Sequence, residues 1–318
     1  MSIHDKNFLV TGGAGFIGSA IAEYLLKNGA KFVRVIDNLS TGSYKNIEPL
    51  EKYDNFEFMM GTITDYEFCL RATKDMNIIC HQAALASVPK SILEPEEYNN
   101  VNVTGFLNIL NAGKHNGIKR VVYASSSAVY GDNTDLAKVE NRTGNQISPY
   151  ALTKYIDDLY ANLYTRLYSM ECIGLRYFNV FGPTQNPNGA YAAAIPKFLQ
   201  QLKLGNSPTI YGDGLQSRDF TYIDNVVNAN FCAMTTNNTK CFGESFNIGT
   251  GQQQILLNVY NNIIDIMGID IKPIFADKRV GDVEHSLANI DKAKELFDWS
   301  PTVSFIDGLN ITVIKFVY

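Results

Sequence analysis

TGGAGFIG, residues 11–18, follows a short apolar run of the strand type and opens an amphipathic helical stretch. Its glycines include Gly12, Gly15 and Gly18, a GxxGxxG spacing that lets the backbone turn sharply and approach a phosphate closely. The N-terminus of the following helix offers unpaired N–H groups and the positive end of the helix dipole. This order of strand, glycine turn and helix predicts a dinucleotide-binding unit, and the alternative is a glycine-rich turn without a ligand.

The first half of the chain alternates short apolar runs with longer amphipathic ones. Strands are predicted at residues 7–11, 32–37, 56–60, 77–82, 120–125 and 172–176, and helices at residues 16–28, 99–115 and 150–168. The alternation predicts an α/β fold, a Rossmann-type doubly wound parallel sheet covered on both faces. We assign residues 1–178 to this domain, to which later segments can return. Residues 179–318 open on a turn-rich stretch and are assigned to a smaller, interleaved C-terminal α/β region that binds the substrate.

The composition excludes several classes of protein. Lys and Arg total 27 against 32 Asp and Glu, so the net charge of −5 gives no general attraction to nucleic acid or an anionic membrane. The five cysteines form no CxxC pair, their number is odd, and only Cys80, beside His81, lies near a histidine in sequence, so neither a disulfide framework nor a metal site is predicted. No signal peptide and no run of 18 apolar residues is visible, and we expect a soluble, cytoplasmic protein.

Asp37 ends the second predicted strand, about 20 residues after the last glycine of the turn, as in dinucleotide-binding units. A carboxylate at this position can accept hydrogen bonds from both hydroxyls of an adenosine ribose. It also repels the 2′-phosphate of NADP. NAD is therefore the predicted cofactor.

Tyr150 and Lys154 are four residues apart and share one face of the predicted helix. A tyrosine ordinarily loses its proton near pH ~10. A neighbouring ammonium, with the positive charge of an oxidised nicotinamide, stabilises the phenolate and makes it a usable base. The fifth strand runs into three serines, whose hydroxyls can bridge a substrate hydroxyl and the tyrosine. A YxxxK pair alone is common on exposed helices. Here the pair indicates a catalytic site because it comes after the glycine turn, the acid and these serines in the order expected of a dinucleotide-dependent enzyme.

Longer motifs carry a family resemblance. They are TGGAGFIGS (11–19), DNLSTG (37–42), HQAALASVP (81–89), SSSAVYGD (125–132), SPYALTK (148–154), LRYFNVFGP (175–183), GAYAAAIPKF (189–198) and SRDFTYIDNVV (217–227). Through them the chain resembles the extended short-chain dehydrogenases/reductases, and more narrowly the NAD-dependent nucleotide-sugar 4-epimerases, over essentially its whole length. The resemblance implies that Tyr150 is the catalytic base, that Lys154 binds the nicotinamide ribose and that Ser126 contacts the reacting hydroxyl. Ser127 competes with Ser126 for this last role.

The resemblance also implies two sets of binding residues. The cofactor set is Gly12, Gly15, Phe16, Ile17, Gly18, Asp37, Asn38, Ser40, Thr41, Gly42, Thr62, Ile63, Gln82, Ala83, Ala84, Asn102, Tyr150, Lys154 and Phe178. The set for a uridine diphosphate sugar is Ser87, Ser126, Ser127, Asn179, Ala194, Ile195, Lys197, Tyr211, Arg218, Arg279, Asp282 and Ser286. Two arginines suit a diphosphate because each guanidinium forms forked hydrogen bonds. Thr62 departs from the aspartate that the family usually places against the adenine.

Ser286 bears on the sugar. Relatives restricted to unacetylated hexoses carry a bulky tyrosine at the matching position, whereas a serine leaves room for a 2-acetamido group. We therefore expect interconversion of UDP-N-acetylglucosamine and UDP-N-acetylgalactosamine. UDP-glucose with UDP-galactose, and UDP-glucuronate, stay open as alternatives. The resemblance further implies a homodimer formed by the helices at residues 99–115 and 151–168.

Three other functions are weighed against this one. A 4,6-dehydratase carries an acidic pair after its catalytic serine or threonine, and Ser127 and Ala128 occupy those positions here. A decarboxylase needs a carboxylate-specific arginine and acid that the motifs do not supply. A non-catalytic NAD-binding protein typically loses the tyrosine or the lysine, and this chain keeps both.

Overall fold

A seven-stranded parallel sheet forms the centre of the computed structural model, which describes residues 2–188, 193–278 and 285–317. Its strands are β1 (Asn7–Thr11), β2 (Phe32–Asp37), β3 (Phe56–Met60), β4 (Ile78–His81), β5 (Arg120–Ser126), β6 (Glu171–Tyr177) and β7 (Glu244–Ile248). Their order across the sheet is β7-β6-β5-β4-β1-β2-β3, and every neighbouring pair is parallel. The predicted Rossmann-type doubly wound sheet is therefore confirmed.

The helices flank this sheet and build the C-terminal part of the chain. They are α1 (Phe16–Lys27), α2 (Tyr66–Thr73), α3 (Val88–Leu93), α4 (Pro95–Tyr98), α5 (Gly105–His115), α6 (Pro149–Tyr168), α7 (Ala194–Lys203), α8 (Ile223–Thr235), α9 (Leu256–Met267), α10 (Asp291–Phe297) and α11 (Phe305–Val317). Short strand pairs join Val180–Phe181 to Thr221–Tyr222, Thr209–Tyr211 to Ile274–Ala276, Ser217–Arg218 to Gln254–Ile255, and Ala137–Lys138 to Leu287–Ala288. Apart from Ala137–Lys138 and Val180–Phe181, these short strands follow the turn-rich stretch that the sequence indicates.

Alternate residues of the strands face two separate hydrophobic layers, as a sheet buried on both faces requires. Leu9 and Val121 pack on the side of α2, α5 and α6. Phe8 and Val122 pack on the opposite side, where α1 and α8 lie against the sheet. Because α8 and β7 both come after residue 178, the second half of the chain helps to build the sheet and its cover.

One predicted helix differs in its first turn. Residues 99–115 form a π-helical turn, Asn99–Thr104, that leads into α5. Asn102 within this turn donates to Leu85 O and Thr153 Oγ1, both at 3.0 Å, and accepts from Leu85 N at 2.8 Å. A wide helical turn of this kind is frequent at functional sites, and here it anchors the loop that follows β4.

The strand order places a crevice at the carboxyl edge of the sheet. From β1 the chain continues to β2 and β3 on one side, and the strands from β4 onward lie on the other. Such a reversal of strand order is where ligands bind in open α/β sheets. Within the described ranges, no helix combines the length and apolar character needed to cross a membrane. Those ranges also contain no cluster of three or more His, Cys, Asp or Glu side chains able to hold a metal ion.

Candidate active site

The glycine turn packs so closely that side chains would not fit. Gly12 has a φ of 63°, and a Cβ there would lie 2.7 Å from the backbone N and Cα of Ala83, at the end of β4. A Cβ on Gly18 would lie 2.3 Å from Gly12 O. Gly15 is the N-cap of α1 and has no side chain to satisfy the first N–H groups of the helix. The first residues of α1, Phe16, Ile17 and Gly18, line the crevice, and the N–H groups of this first turn have no side-chain cap.

Asp37 is held against this turn. Its Oδ2 accepts from Ala14 N at 3.0 Å, and its Oδ1 accepts from Leu39 N at 2.8 Å. Burial raises the pKa of the Asp37 carboxyl, and these two backbone N–H groups act in the opposite direction. Gly42 packs behind the carboxylate, since a Cβ there would lie 3.0 Å from Asp37 Oδ2. The acid is therefore fixed before any ligand arrives.

A cavity of about 760 Å³ runs from the glycine turn along the ends of the central strands to α6. Sixteen of the nineteen predicted cofactor residues line it: Gly12, Gly15, Phe16, Ile17, Gly18, Asp37, Asn38, Ser40, Thr41, Thr62, Ile63, Gln82, Ala83, Ala84, Tyr150 and Lys154. Gly42, Asn102 and Phe178 are not among its lining residues. Gly42 supports Asp37, Asn102 holds Leu85 of the cavity wall, and Phe178 is fully buried in the core.

Tyr150 and Lys154 lie at the far end of this cavity, on the first two turns of α6. Ser148 caps the helix by accepting from Ala151 N at 3.1 Å, and Pro149 begins it, a position that suits its missing N–H. The ring of Tyr150 makes an edge contact with that of Tyr98. Lys154 Nζ is buried and donates to Asp157 Oδ2 at 2.8 Å. An ammonium beside a phenol at the cavity wall is the arrangement that a tyrosine base needs.

The three serines after β5 have different surroundings. Ser125 lines the cavity, and its buried Oγ has no hydrogen-bond partner within residues 2–188, 193–278 and 285–317. The Oγ of Ser126 accepts from Ala128 N at 3.1 Å and so caps the short helical turn that contains Ser127. Neither Ser126 nor Ser127 is among the lining residues of the cavity. Their predicted contacts with the reacting sugar stay predictions.

His81 is a buried group that the motif HQAA contains but that the prediction did not use. Its Nδ1 is 2.8 Å from Thr11 Oγ1, a hydroxyl that also accepts from Ala83 N. Burial, with the nearby charge of Lys154, lowers the pKa of His81 to about 3. The neutral ring therefore fixes the loop after β4 without adding charge to the site. Tyr177 was missed in the same way; it lines the cavity and donates to Gln82 Oε1 at 3.0 Å.

A second cavity of about 420 Å³ adjoins the first, and Ala86 lines both. The predicted substrate residues that line it are Ser87, Asn179, Ala194, Ile195, Lys197, Tyr211 and Arg218. Ser286 is not among its lining residues, but Ser286 N donates to Ser217 O at 3.2 Å, next to Arg218. Arg279 and Asp282 lie outside the described residues. The structure thus brings Ser87 together with the predicted substrate residues between 179 and 218, and it places Ser286 next to Arg218.

The first cavity fits a dinucleotide. Its volume lies within the range of about 300–1,000 Å³ that is usual for cofactor and ligand sites. Backbone N–H groups at a helix N-terminus suit a pyrophosphate, and the fixed carboxylate of Asp37 suits ribose hydroxyls. Ser125 Oγ, which has no partner among the described residues, and the buried Lys154 ammonium lie on the same cavity as Tyr150.

Comparison with known proteins agrees with this geometry. Residues 8–249 match the model of the NAD dependent epimerase/dehydratase family. A structure of UDP-N-acetylglucosamine 4-epimerase from Methanobrevibacter ruminantium M1 in complex with UDP-N-acetylmuramic acid is 38% identical, with a TM-score of 0.93 and coverage of 98% of both chains. A structure of UDP-glucose 4-epimerase from Thermotoga maritima with UDP-glucose is 36% identical, with a TM-score of 0.91 and the same coverage.

A UDP-glucuronate 4-epimerase from Thermodesulfobacterium geofontis is 34% identical over 96% of this chain and 94% of its own length. The three relatives are thus 4-epimerases of different UDP-sugars. The chain belongs to the NAD dependent epimerase/dehydratase family, within its UDP-sugar 4-epimerases, and its cofactor is NAD.

Proposed function

We propose that this chain interconverts UDP-N-acetylglucosamine and UDP-N-acetylgalactosamine through a transient 4-keto sugar. The observation that carries the reaction type is the position of Tyr150 and Lys154 at the end of the dinucleotide cavity, where Ala86 joins it to the second cavity. A sugar attached to a diphosphate in the second cavity would reach the tyrosine at this junction.

The proposed roles follow from the chemistry of each side chain. Tyr150, as phenolate, removes the proton from the hydroxyl on sugar carbon 4 and later returns it. The glycine turn and Asp37 would hold NAD, which would supply a reversible hydride acceptor for that carbon, so that the hydride could return to the opposite face of the ring. Lys154, which lines the same cavity, places a positive charge beside the phenolate. The protein mainly supplies positioning and proton transfer.

The diphosphate must stay anchored while the flat keto sugar turns over. Arg218 lines the second cavity and has the forked donor geometry that suits a diphosphate, and Arg279 is proposed as its partner. We propose that Asp282 binds the uridine ribose, and that Tyr211 borders the base. Residues 179–318 then act mainly as the nucleotide-sugar region.

The acetylated sugar is favoured by Ser286. A small side chain at this position leaves space that a tyrosine would fill, and the serine lies one residue beyond the short contact between Ser217 and His285. Similarity to the Methanobrevibacter ruminantium epimerase supports the same choice. UDP-glucose and UDP-glucuronate are the alternatives, since relatives that act on each are nearly as similar.

The test is to incubate the purified protein with UDP-N-acetylglucosamine, without added reductant, and to separate the nucleotide sugars by chromatography. Formation of UDP-N-acetylgalactosamine without net NADH supports the proposal. Conversion of UDP-glucose or UDP-glucuronate instead keeps the reaction type and refutes the choice of sugar. No conversion of any UDP-sugar by protein that binds NAD would favour a non-catalytic role.

We also propose a homodimer through α6. Leu152, Leu159, Leu163 and Leu167 are exposed along one side of this helix, an apolar stripe that a second copy of the chain would cover. Light scattering on the wild type and on Leu159→Arg tests this. A dimer that becomes a monomer in the variant supports the proposal, and a monomeric wild type refutes it.

A further inference from the structure

A buried acid accompanies the catalytic pair on α6. Asp157 is three residues after Lys154, so that Tyr150, Lys154 and Asp157 share one face of the helix. The side chains of Lys154 and Asp157 are 2% and 1% exposed, and Nζ and Oδ2 are 2.8 Å apart. The ammonium of Lys154 thus has a fixed hydrogen bond to a residue that lies closer to the C-terminus of α6.

The neighbouring acid, Asp158, has a different task. Its Oδ1 accepts from Tyr123 on β5 at 3.0 Å, and its Oδ2 accepts from Arg176 on β6 at 3.0 Å. Asp158 therefore ties α6 to two strands. Asp157 makes no such tie: its Oδ1 is buried and has no partner in the part of the chain that the structure describes.

Stability does not explain this pair. Taking two charges out of water costs free energy that the attraction between them repays only when their remaining hydrogen-bonding capacity is also satisfied. The carboxylate of Asp157 is half-satisfied. Ionisable groups with strongly perturbed surroundings cluster at functional sites, and Lys154 lines the same cavity as Tyr150.

Other charges around Lys154 do not replace Asp157. The titratable and charged groups on the packed elements are Tyr150 and Asp158 on α6, His81 on β4, Tyr123 on β5, Arg176 on β6, and Glu97 and Tyr98 on α4. His81 is neutral near pH 7 because its pKa is lowered to about 3. Arg176 and Asp158 compensate each other. Asp157 is the acid in direct contact with the ammonium.

We propose that Asp157 is a positioning residue, which keeps the ammonium of Lys154 charged and fixed beside Tyr150. The proposal rests on the proposed function in one respect, that Lys154 works with Tyr150. Burial is the largest influence on the pKa of Lys154 and lowers it, but the charges of Asp157 and Tyr150 and the hydrogen bond to Asp157 together leave this pKa above its ordinary value. Burial in turn raises the pKa of the Asp157 carboxyl to about 7 against the charge of Lys154, so Asp157 is ionised in the alkaline range where the ammonium titrates. Without the carboxylate, the charges of Tyr150 and Asp158 remain to oppose burial, and we expect burial to prevail.

The first experiment compares pH–rate profiles of Asp157→Asn, Asp157→Glu and Asp158→Asn with that of the wild type. Asparagine keeps the size of the side chain and removes its charge. We expect the alkaline limb of kcat to move down by about one to three pH units in Asp157→Asn, as buried lysines do. Asp157→Glu keeps the negative charge, so its alkaline limb should lie close to that of the wild type. Asp158→Asn should lower the melting temperature, and it should move the alkaline limb less than Asp157→Asn does.

An unchanged alkaline limb in Asp157→Asn would overturn the proposal, as would an equal shift in Asp158→Asn. Thermal melting of each variant shows whether it is folded. If Asp157→Asn does not fold, the Asp157→Glu variant carries the test: a profile like that of the wild type supports the proposal, and a shift as large as that expected for loss of the charge overturns it.

The second experiment does not use turnover. ¹⁵N-lysine NMR of the protein as purified, with the Lys154 signal assigned by its absence from Lys154→Arg, follows the ammonium directly. We expect the Lys154 signal to titrate at least about one pH unit lower in Asp157→Asn than in the wild type, and no shift would refute the role. If the wild type converts no UDP-sugar, the proposed function fails while this titration still decides the role of Asp157.

Discussion

The carboxylate of Asp37 and the backbone N–H of Ala14 are joined by a hydrogen bond of 3.0 Å, which ties the end of β2 to the glycine turn. The acid therefore has one fixed position relative to the turn. In that position it can accept hydrogen bonds from a ribose and repel a 2′-phosphate.

Asp37→Asn should weaken NAD binding by about 10- to 100-fold, the size expected for losing hydrogen bonds to a charged acceptor. Binding of NADP should weaken less, because the repulsion is lost as well. Calorimetric titration with both cofactors measures this. Asp65→Asn is the matched control, since the Asp65 side chain caps α2 by accepting from Phe68 N and asparagine caps equally well. An unchanged ratio of NAD to NADP affinity in Asp37→Asn would contradict the prediction.

Gly12→Ala and Gly117→Ala separate two effects of a glycine. Both residues have a positive φ, 63° and 75°, so each alanine should cost about 1–2 kcal/mol of backbone strain. A Cβ at Gly12 also meets the backbone of Ala83, whereas a Cβ at Gly117 has nothing within 4 Å. We expect both variants to melt at lower temperature and only Gly12→Ala to lose stabilisation by added NAD. Equal stabilisation of the two variants by NAD would show that the contact with Ala83 does not shape the site.

Much of the first half of the fold follows from local patterns. The bounds of β1, β2 and β3 agree with the prediction because each strand is a short, mostly apolar run that ends at turn residues. The strand β7 was not predicted. In its sequence, ESFNI, polar residues alternate with Phe246 and Ile248, and it is a strand through its parallel pairing with β6.

Site residues that belong to one local sequence motif were predictable. Residues that tertiary packing brings to the site were less so. The glycine turn and Asp37 follow from spacing. Successive side chains of a strand point to opposite faces, so the serine that reaches the cavity depends on where β5 ends. In the structure this serine is Ser125. The helix period puts Asp157 on the face of Lys154, but that it is buried and paired, while Asp158 binds two strands, depends on the tertiary fold.

Tyr150→Phe should reduce kcat by about 10²- to 10⁴-fold or more, because the phenol is the proposed proton carrier. The ring is kept, so its edge contact with Tyr98 and the fold should persist. NAD should bind as in the wild type. Tyr155→Phe, on the same helix, is the control and should keep its activity. Turnover near the wild-type rate in Tyr150→Phe would remove the tyrosine from the mechanism.

Arg218→Lys should raise KM for the UDP-sugar by about tenfold and change kcat less. Lysine keeps the positive charge but loses the forked geometry that meets two diphosphate oxygens. Arg218 lines the second cavity, and its Nη1 already donates to Ser217 O at 2.9 Å, which orients the guanidinium. Steady-state kinetics measure both constants. A fall in kcat at unchanged KM would instead assign the arginine to the chemical step.

Ser286→Tyr should lower kcat/KM for UDP-N-acetylglucosamine by at least about tenfold while sparing UDP-glucose, since one steric clash in a pocket is worth about 1–3 kcal/mol. The matched variant Ser286→Ala keeps the side chain small and should leave the preference unchanged. Competition between the two sugars in one assay gives the ratio directly. If Ser286→Tyr slows both sugars alike, the position affects binding in general and does not select the acetylated sugar. Because Ser286 N is fixed to Ser217 O, beside Arg218, a changed preference would also place the 2-acetamido group near this strand pair.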